Sequence, residues 1–231
     1  MSNPGAEDIR PRAVVFDLDG TLVDNIPIHM EAFAQFVTRH GLPPLTEEVR
    51  ARIDGKRNAD VFPIVCGRRL SDLEIDRFSG EKEQIYRDLS RGRLKPRKGL
   101  MTLIERLEKR GIATVVATSA PSENVRHSLR ELGFDKRLSL VVRSDEVARG
   151  KPFPDVFLAA ARLAKVPPTS CLAFEDAPSG VAAAKAAGMV CVAVGSTHTP
   201  EMLAAHGGRP DYSFPDFEEY LNGPGHWLLE D

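Results

Sequence analysis

The sequence is poor in cysteine, in tryptophan and tyrosine, and in long apolar runs. Its 231 residues include three cysteines, one tryptophan and three tyrosines. Cys66, Cys171 and Cys191 are scattered and odd in number, which argues against a disulfide framework. They read as core residues of a protein from a reducing compartment. Apolar stretches such as Ile112 to Ala117 are far short of the ~20 residues that cross a bilayer. Neither sign of charge dominates: 31 Lys plus Arg stand against 33 Asp plus Glu, a net charge of -2, with no arginine-rich tail and no zinc-type spacing. That balance argues against a dedicated nucleic-acid binder and for a small-molecule partner. The first stretch, Met1 to Ala13, carries acids and prolines where a secretory signal needs an apolar segment, and reads as a frayed leader. Together these absences predict a soluble, cytoplasmic protein without membrane or nucleic-acid partners; a monomer or weak homodimer is the expected state.

What is present begins with "VVFDLDGTLVDN", Val14 to Asn25. Ala13 to Phe16 fits a buried strand of a parallel sheet. Asp17 and Asp19 follow it, and in extended backbone both carboxylates point to the same side. Like charges held that close need a cation or a shared proton. Gly20 permits a sharp turn, and Thr21 sets a hydroxyl beside the pair.

Asn25 and Pro27 then supply a helix cap and a first-turn residue, and Phe33, Phe36, Val37 and His40 recur at helical spacing up to Gly41. Thr46 with Glu47 and Glu48 starts another helix. From there to about Arg91 only helices and loops are expected, including one long amphipathic helix through Ile75, Phe78, Ile85, Tyr86 and Leu89. From Pro96 onward helices alternate with apolar strands. The strands are "IATVVAT", "LSLVVRS", "CLAFED" and "VCVAVG", followed by a short strand near Asp211 to Phe214. The helices start near Leu100, at a Ser122 cap, at Asp155, at Ser179 and near Phe217. This pattern predicts an α/β fold: a three-layer, Rossmann-like parallel sheet (1–26 and 95–231) with a small all-helical cap (27–94) inserted after the acidic loop. Both connections to the insertion should run beside that loop, so the helical unit can close over it.

Ligands of such sheets bind beyond the carboxyl ends of the strands. Thr118 and Ser119 lie there, as do Lys151 between Gly150 and Pro152, and a second acid pair, Glu175 and Asp176. Each alone has an ordinary explanation as a cap, a surface charge or a helix-end acid. Jointly, two acid pairs, a hydroxyl site and a lysine make a place for a divalent metal and a tetrahedral dianion, and Mg2+ matches such hard oxygen ligands.

The order "DLDGT", "VVATS", "GKPFP", "FEDAPSGVAAAKAAGM" resembles the four motifs of the haloacid dehalogenase superfamily, over nearly the whole chain. The helical insertion is similar to the cap of the group that includes β-phosphoglucomutase, phosphoglycolate phosphatase and sugar-phosphate phosphatases. The resemblance implies a Mg2+-dependent phosphatase acting on a small-molecule phosphate ester through an aspartyl-phosphate. Asp17 would be the nucleophile and Asp19 the acid/base. Asp17, the backbone carbonyl of Asp19 and Asp176 would hold Mg2+, with Glu175 a further or indirect ligand. Thr118, the Ser119 backbone and Lys151 would hold the phosphoryl oxygens. Carbon-halogen hydrolases of the superfamily lack the second aspartate of the first motif, so Asp19 favours phosphoryl transfer. A phosphomutase of the β-phosphoglucomutase type is the alternative, although that group usually has a threonine where this chain has Asn25. A non-catalytic metabolite-binding protein would need a missing catalytic residue, and none is missing.

The cap segment from Arg50 to Lys98 carries fourteen basic and eight acidic residues, which could steer anions inward. Most of these charges read as solvated helix surface. "DGKRNADVF" matches the position of the family's cap specificity loop, so Lys56, Arg57 and Asn58 are candidate substrate contacts. By the same resemblance Lys82, four residues before Tyr86, and His29 match substrate-facing cap residues.

Overall fold

The computed structural model describes residues 10–195, 198–204 and 208–228; most of the expected leader, residues 1–9, lies outside them. Strand β1 (Ala13–Phe16) is followed by four helices, α1 (Ile26–Arg39), α2 (Glu47–Ile53), α3 (Asn58–Val65) and α4 (Asp72–Ser90). Strands and helices then alternate: α5 (Leu100–Lys109), β2 (Ala113–Thr118), α6 (Ser122–Glu131), β3 (Val141–Arg143), α7 (Asp155–Leu163), β4 (Cys171–Glu175), α8 (Pro178–Ala186), β5 (Val190–Val194), α9 (Pro200–Leu203), β6 (Tyr212–Phe214) and α10 (Phe217–Asn222). All six strands are parallel, in the order β3-β2-β1-β4-β5-β6.

β1 is central, with Phe16 in register with Val116 on one side and Phe174 on the other. Side chains alternate across a strand, so β1 serves two cores. Val14 and Phe16 join the face packed by α5, α6 and α10, while Ala13 and Val15 join the face packed by α7 and α8. Cys171 and Cys191 are free thiols in the second core. The layers are therefore helix, sheet, helix: the Rossmann-like α/β fold that the sequence predicts.

Helices α1 to α4 have an aromatic centre of their own. Phe36 and Phe62 meet edge to face at 5.2 Å, and Phe36 meets Phe78 at 5.4 Å. Burying each such ring contributes about 1.5–3 kcal/mol. A capping box at Ser71 and Glu74 fixes the start of α4. The chain leaves and re-enters the sheet side by side: Val23 bridges Pro96, and the Arg97 amide donates to the Leu22 carbonyl at 2.9 Å.

Three local expectations shift. The strand expected over "LSLVVRS" shrinks to Val141–Arg143, because Leu138 is buried in the turn after α6. Pro121, not Ser122, occupies the N-cap of α6. Asn25 stands at the N-cap of α1, yet its side chain caps nothing. None of the helices among the described residues is long and apolar enough to cross a membrane.

Candidate active site

Because β1 lies between β2 and β4, the residues just past its end face the loops that follow those two strands. Lys151, buried before α7, donates to Asp17 Oδ1 at 2.6 Å and to Glu175 Oε1 at 2.5 Å. The other Glu175 oxygen accepts from the amides of Asp176 (2.9 Å) and Ala177 (3.0 Å), which pins the loop after β4. Thr21 donates its hydroxyl to Asp176 Oδ1 at 3.0 Å. Asp17, Glu175 and Asp176 each offer one carboxylate oxygen to a common point, these atoms lying within 4.8 Å of one another.

Fully ionised, the three buried carboxylates would exceed the one ammonium by two negative charges, and that crowding favours protonation. Burial pushes the Asp17 carboxyl up to about 8 despite Lys151, with Glu175 adding to the rise. Burial, then Glu175 and Asp17, push Asp176 well above the usual carboxylate range. Burial opposes the charge on Lys151, but Asp17 and Glu175 outweigh it and hold that ammonium above its ordinary value. A hard-oxygen donor set with this surplus fits Mg2+.

Gly20 makes this close approach possible. Its φ is +87°, and a Cβ there would lie 2.0 Å from Asp176 Oδ2. Gly20→Ala is therefore strained twice, by conformation and by collision. A thermal melt of this variant is expected to fall by at least about 4 °C, with loss of activity. An unchanged melt and unchanged turnover would contradict the packing described here.

Asp19 turns away from the three-carboxylate cluster. Its Oδ1 accepts from Asn25 Nδ2 at 2.6 Å and lies 3.6 Å from His29 Nε2. Burial disfavours the Asp19 carboxylate, but hydrogen bonding and charge from His29, together with Asn25, hold its pKa below the ordinary value. His29 stacks on Tyr86 at 3.8 Å and meets Lys82 Nζ through Nδ1 at 2.8 Å. Lysine can only donate, so Nδ1 accepts and the ring proton sits on Nε2, facing Asp19. Lys82 is buried and also donates to Glu83 at 3.0 Å. Glu83 in turn accepts from Asn58 on α3 (3.0 Å) and from Asn124 on α6 (2.6 Å).

A cavity of about 420 Å3 opens above these groups, bounded by Asp17, Asp19, His29, Lys82, Thr118 and Asp176 on the chemical side and by Met30, Phe33 and Val61 on an apolar side. Lys56 and Asn58 line it. Arg57 does not line it; its guanidinium pairs with Asp60 at 2.8 Å and lies against Gly150. Thr118 Oγ1 accepts from the Ala120 amide at 3.0 Å, which orients that hydroxyl. The turn between α2 and α3 reaches down to the strand ends. Ser119 Oγ donates to the Gly55 carbonyl (2.8 Å), Ser179 Oγ donates to the Asp54 carbonyl (2.8 Å), and His198 Nε2 lies 2.9 Å from the Asp54 carboxylate.

A family model of haloacid dehalogenase-like hydrolases matches residues 11–188. The chain belongs to the haloacid dehalogenase-like hydrolases. This hydrolase is 33% identical to a phosphorylated carbohydrates phosphatase of Thermotoga maritima over 77% of its own length and 82% of that protein. It is 34% identical to hexitol phosphatase A of Escherichia coli, over 84% and 88% of the two chains. A hydrolase from Pseudomonas syringae superposes with a TM-score of 0.82 at 27% identity, over 93% of this chain and 98% of that one.

The hydrolase thus gathers Asp17, Glu175 and Asp176 around one point, with Lys151 bonded to the first two, Thr118 at the same cavity and Ser119 holding the α2–α3 turn. His29 and Lys82 join Asp19 at the cavity wall. Sequence pattern alone does not single out Asp54, Glu83, Asn124, Ser179 and His198, which the structure places at or around the cavity. Each is a single polar residue in a helix or loop, and only the tertiary packing gives it partners.

Proposed function

We propose that this hydrolase is a Mg2+-dependent phosphatase of a small, sugar phosphate-like metabolite. The observation that carries the reading is the convergence of Asp17, Glu175 and Asp176 around one point, with buried Lys151 bridging two of them. Asp17 attacks phosphorus in line, and its new bond to phosphorus forms as the bond from phosphorus to the leaving oxygen breaks. Asp19, ionised in the free enzyme, takes up a proton as the phosphate dianion enters beside it and gives that proton to the leaving oxygen. It then takes a proton from the water that attacks the aspartyl-phosphate, which frees inorganic phosphate and restores Asp17. Lys151, the Thr118 hydroxyl and the Ser119 backbone hold the transferring oxygens.

Asp17, Asp176 and the backbone carbonyl of Asp19 would hold Mg2+. Glu175 acts indirectly, because both its oxygens are already engaged by Lys151 and two amides. When bound, the ion supplies positive charge that neutralises the phosphoryl oxygens.

The helical unit, 27–94, serves as a cap whose Asp54–Gly55 turn seals the site against water. Gly55 suits that role: its φ is +68°, and a Cβ would fall 2.4 Å from Ser179 Oγ. Several of the cap's basic residues form surface pairs, such as Arg68 with Glu74 and Arg91 with Asp88. Lys56 and Lys82 face the cavity instead. A cavity of about 420 Å3 with one apolar wall and several polar groups suits a small phosphorylated polyol or sugar. Relatives named for phosphorylated carbohydrates and hexitol support that class.

A panel of phosphate esters assayed with Mg2+ tests the reading. Free phosphate from at least one sugar phosphate is expected, stopped by exhaustive chelation and restored by added Mg2+. Turnover that survives chelation would refute the metal assignment, and no release from any ester would refute the activity. β-Glucose 1-phosphate with a trace of the bisphosphate should give free phosphate; glucose 6-phosphate would point to the mutase alternative.

A further inference from the structure

Asn25 is fully buried, and its amide makes three hydrogen bonds, none of them to the helix whose N-cap position it occupies. The Gly20 amide donates to Asn25 Oδ1 at 3.1 Å. A backbone N–H can only donate, so this contact fixes which end of the side-chain amide is oxygen. Nδ2 must then donate, one hydrogen to Asp19 Oδ1 at 2.6 Å and the other to the Tyr86 hydroxyl at 2.6 Å. The Tyr86 oxygen accepts there, which leaves its own proton for Ser128 Oγ at 3.4 Å on α6. Every polar hydrogen of the Asn25 side chain and of the Tyr86 hydroxyl thus has a partner.

The consequence falls on Asp19. Its Oδ1 receives the Asn25 amide and faces His29 Nε2 at 3.6 Å, so that oxygen is an acceptor in either protonation state. We infer that Asn25 is a positioning residue that confines the transferable proton of Asp19 to Oδ2, and that Tyr86 on α4 holds Asn25 in the orientation required. The inference rests on the acid/base reading of Asp19. In the first half-reaction the Oδ2–H bond breaks and its proton passes to the leaving oxygen as the bond from phosphorus to that oxygen breaks, leaving Asp19 as a carboxylate. Without Asn25 both carboxyl oxygens can carry the proton and the side chain can rotate, so the proton is often on the wrong oxygen. Because Tyr86 belongs to α4, delivery of the proton depends on the helical unit being packed against the sheet.

A merely structural role and a proton-positioning role separate on the leaving group. An alkyl or sugar alkoxide needs a proton to depart, whereas p-nitrophenolate does not. The measurement is kcat/KM, which reports only events through loss of the leaving group, for a sugar phosphate and for p-nitrophenyl phosphate. Asn25→Ala and Tyr86→Phe are expected to lower the sugar-to-aryl ratio at least tenfold relative to wild type. Asn25→Asp, which swaps the donor for an acceptor, should lower it about a hundredfold. Tyr86→Phe keeps the ring stacked on His29 and removes one hydroxyl, so it carries the test should the Asn25 variants fold poorly. A ratio within about twofold of wild type in Tyr86→Phe, or equal losses on both substrates, would overturn the inference. Asp19→Asn is measured in parallel. If it leaves the ratio intact, the acid role of Asp19 fails and the positioning role fails with it; if it lowers the ratio while Tyr86→Phe does not, only the positioning role fails.

Discussion

Asp17→Asn is expected to lower turnover of a sugar phosphate at least about 10^4-fold while leaving the folded protein as stable as wild type, or more so. The kinetic half follows from the proposed chemistry. An amide oxygen in the same place is too weak a nucleophile to open the phosphoryl group, and no neighbouring side chain can replace it: Glu175 is engaged by Lys151 and two amides, and Asp176 is held by Thr21. The stability half follows from electrostatics. Burial lifts the folded-state pKa of Asp17 to about 8, above its ordinary carboxyl value. A group raised in the folded state adds stability fully below its unfolded pKa and loses it as pH rises through the folded value. Above about pH 8 the metal-free wild type therefore carries an unfavourable carboxylate that Asn removes. Melting curves of both proteins without metal at pH 8, beside phosphate-release assays with Mg2+, check the two halves. Turnover within tenfold of wild type would remove Asp17 from the nucleophile's role, and a large drop in melting temperature would contradict the electrostatic account.

Lys151→Met should damage both properties at once. Among the described residues, Lys151 is the one buried cation in contact with Asp17 and Glu175, at 2.6 and 2.5 Å. Breaking a buried ion pair by removing one partner costs about 3–5 kcal/mol, because the remaining charges stay desolvated. The melting temperature should fall by roughly 10 °C or more at neutral pH. In the proposed chemistry Lys151 holds the transferring oxygens, so its loss should cut kcat about 10^2–10^3-fold. Added Mg2+ should recover part of the lost stability, since it supplies positive charge to the same carboxylates, but not the catalytic loss. The check is a melt of Lys151→Met with and without Mg2+. A variant as stable as wild type would mean that Glu175 and Asp17 find other compensation.

The sequence makes the sheet legible because buried parallel strands are short apolar runs and their helices are punctuated by glycine. Gly111, Gly133 and Gly188, at the stops expected after helices, all adopt positive φ. The acid pairs and Lys151 are legible because strand ends converge in this topology, whatever the register of individual helices. Asn25 marks the limit. An asparagine before an apolar helical stretch reads as a cap, since local pattern offers it no other partner. Its actual partners, Gly20, Asp19 and Tyr86, include one that is 61 residues away. Asp54 and His198 escape notice for the same reason, as does the Glu83 hub joining α3, α4 and α6. Among the basic residues of the cap, composition could not separate Lys56 at the cavity from Arg57, which turns to Asp60.

The central place of β1 also orders events when the polypeptide is made. Ala13 pairs with Ala113, one hundred residues later, and with Cys171 beyond that. At about 5–20 residues per second, the first strand waits on the order of 5–20 s for its first neighbour to be synthesised. Helices α1 to α4 emerge in the interval with most of their mutual contacts within a contiguous stretch. A chain cut before residue 171 carries the first acid pair but neither the second pair nor the strand that aligns them. The three-carboxylate cluster is thus completed only when β4 and the loop after it have been made, long after Asp17.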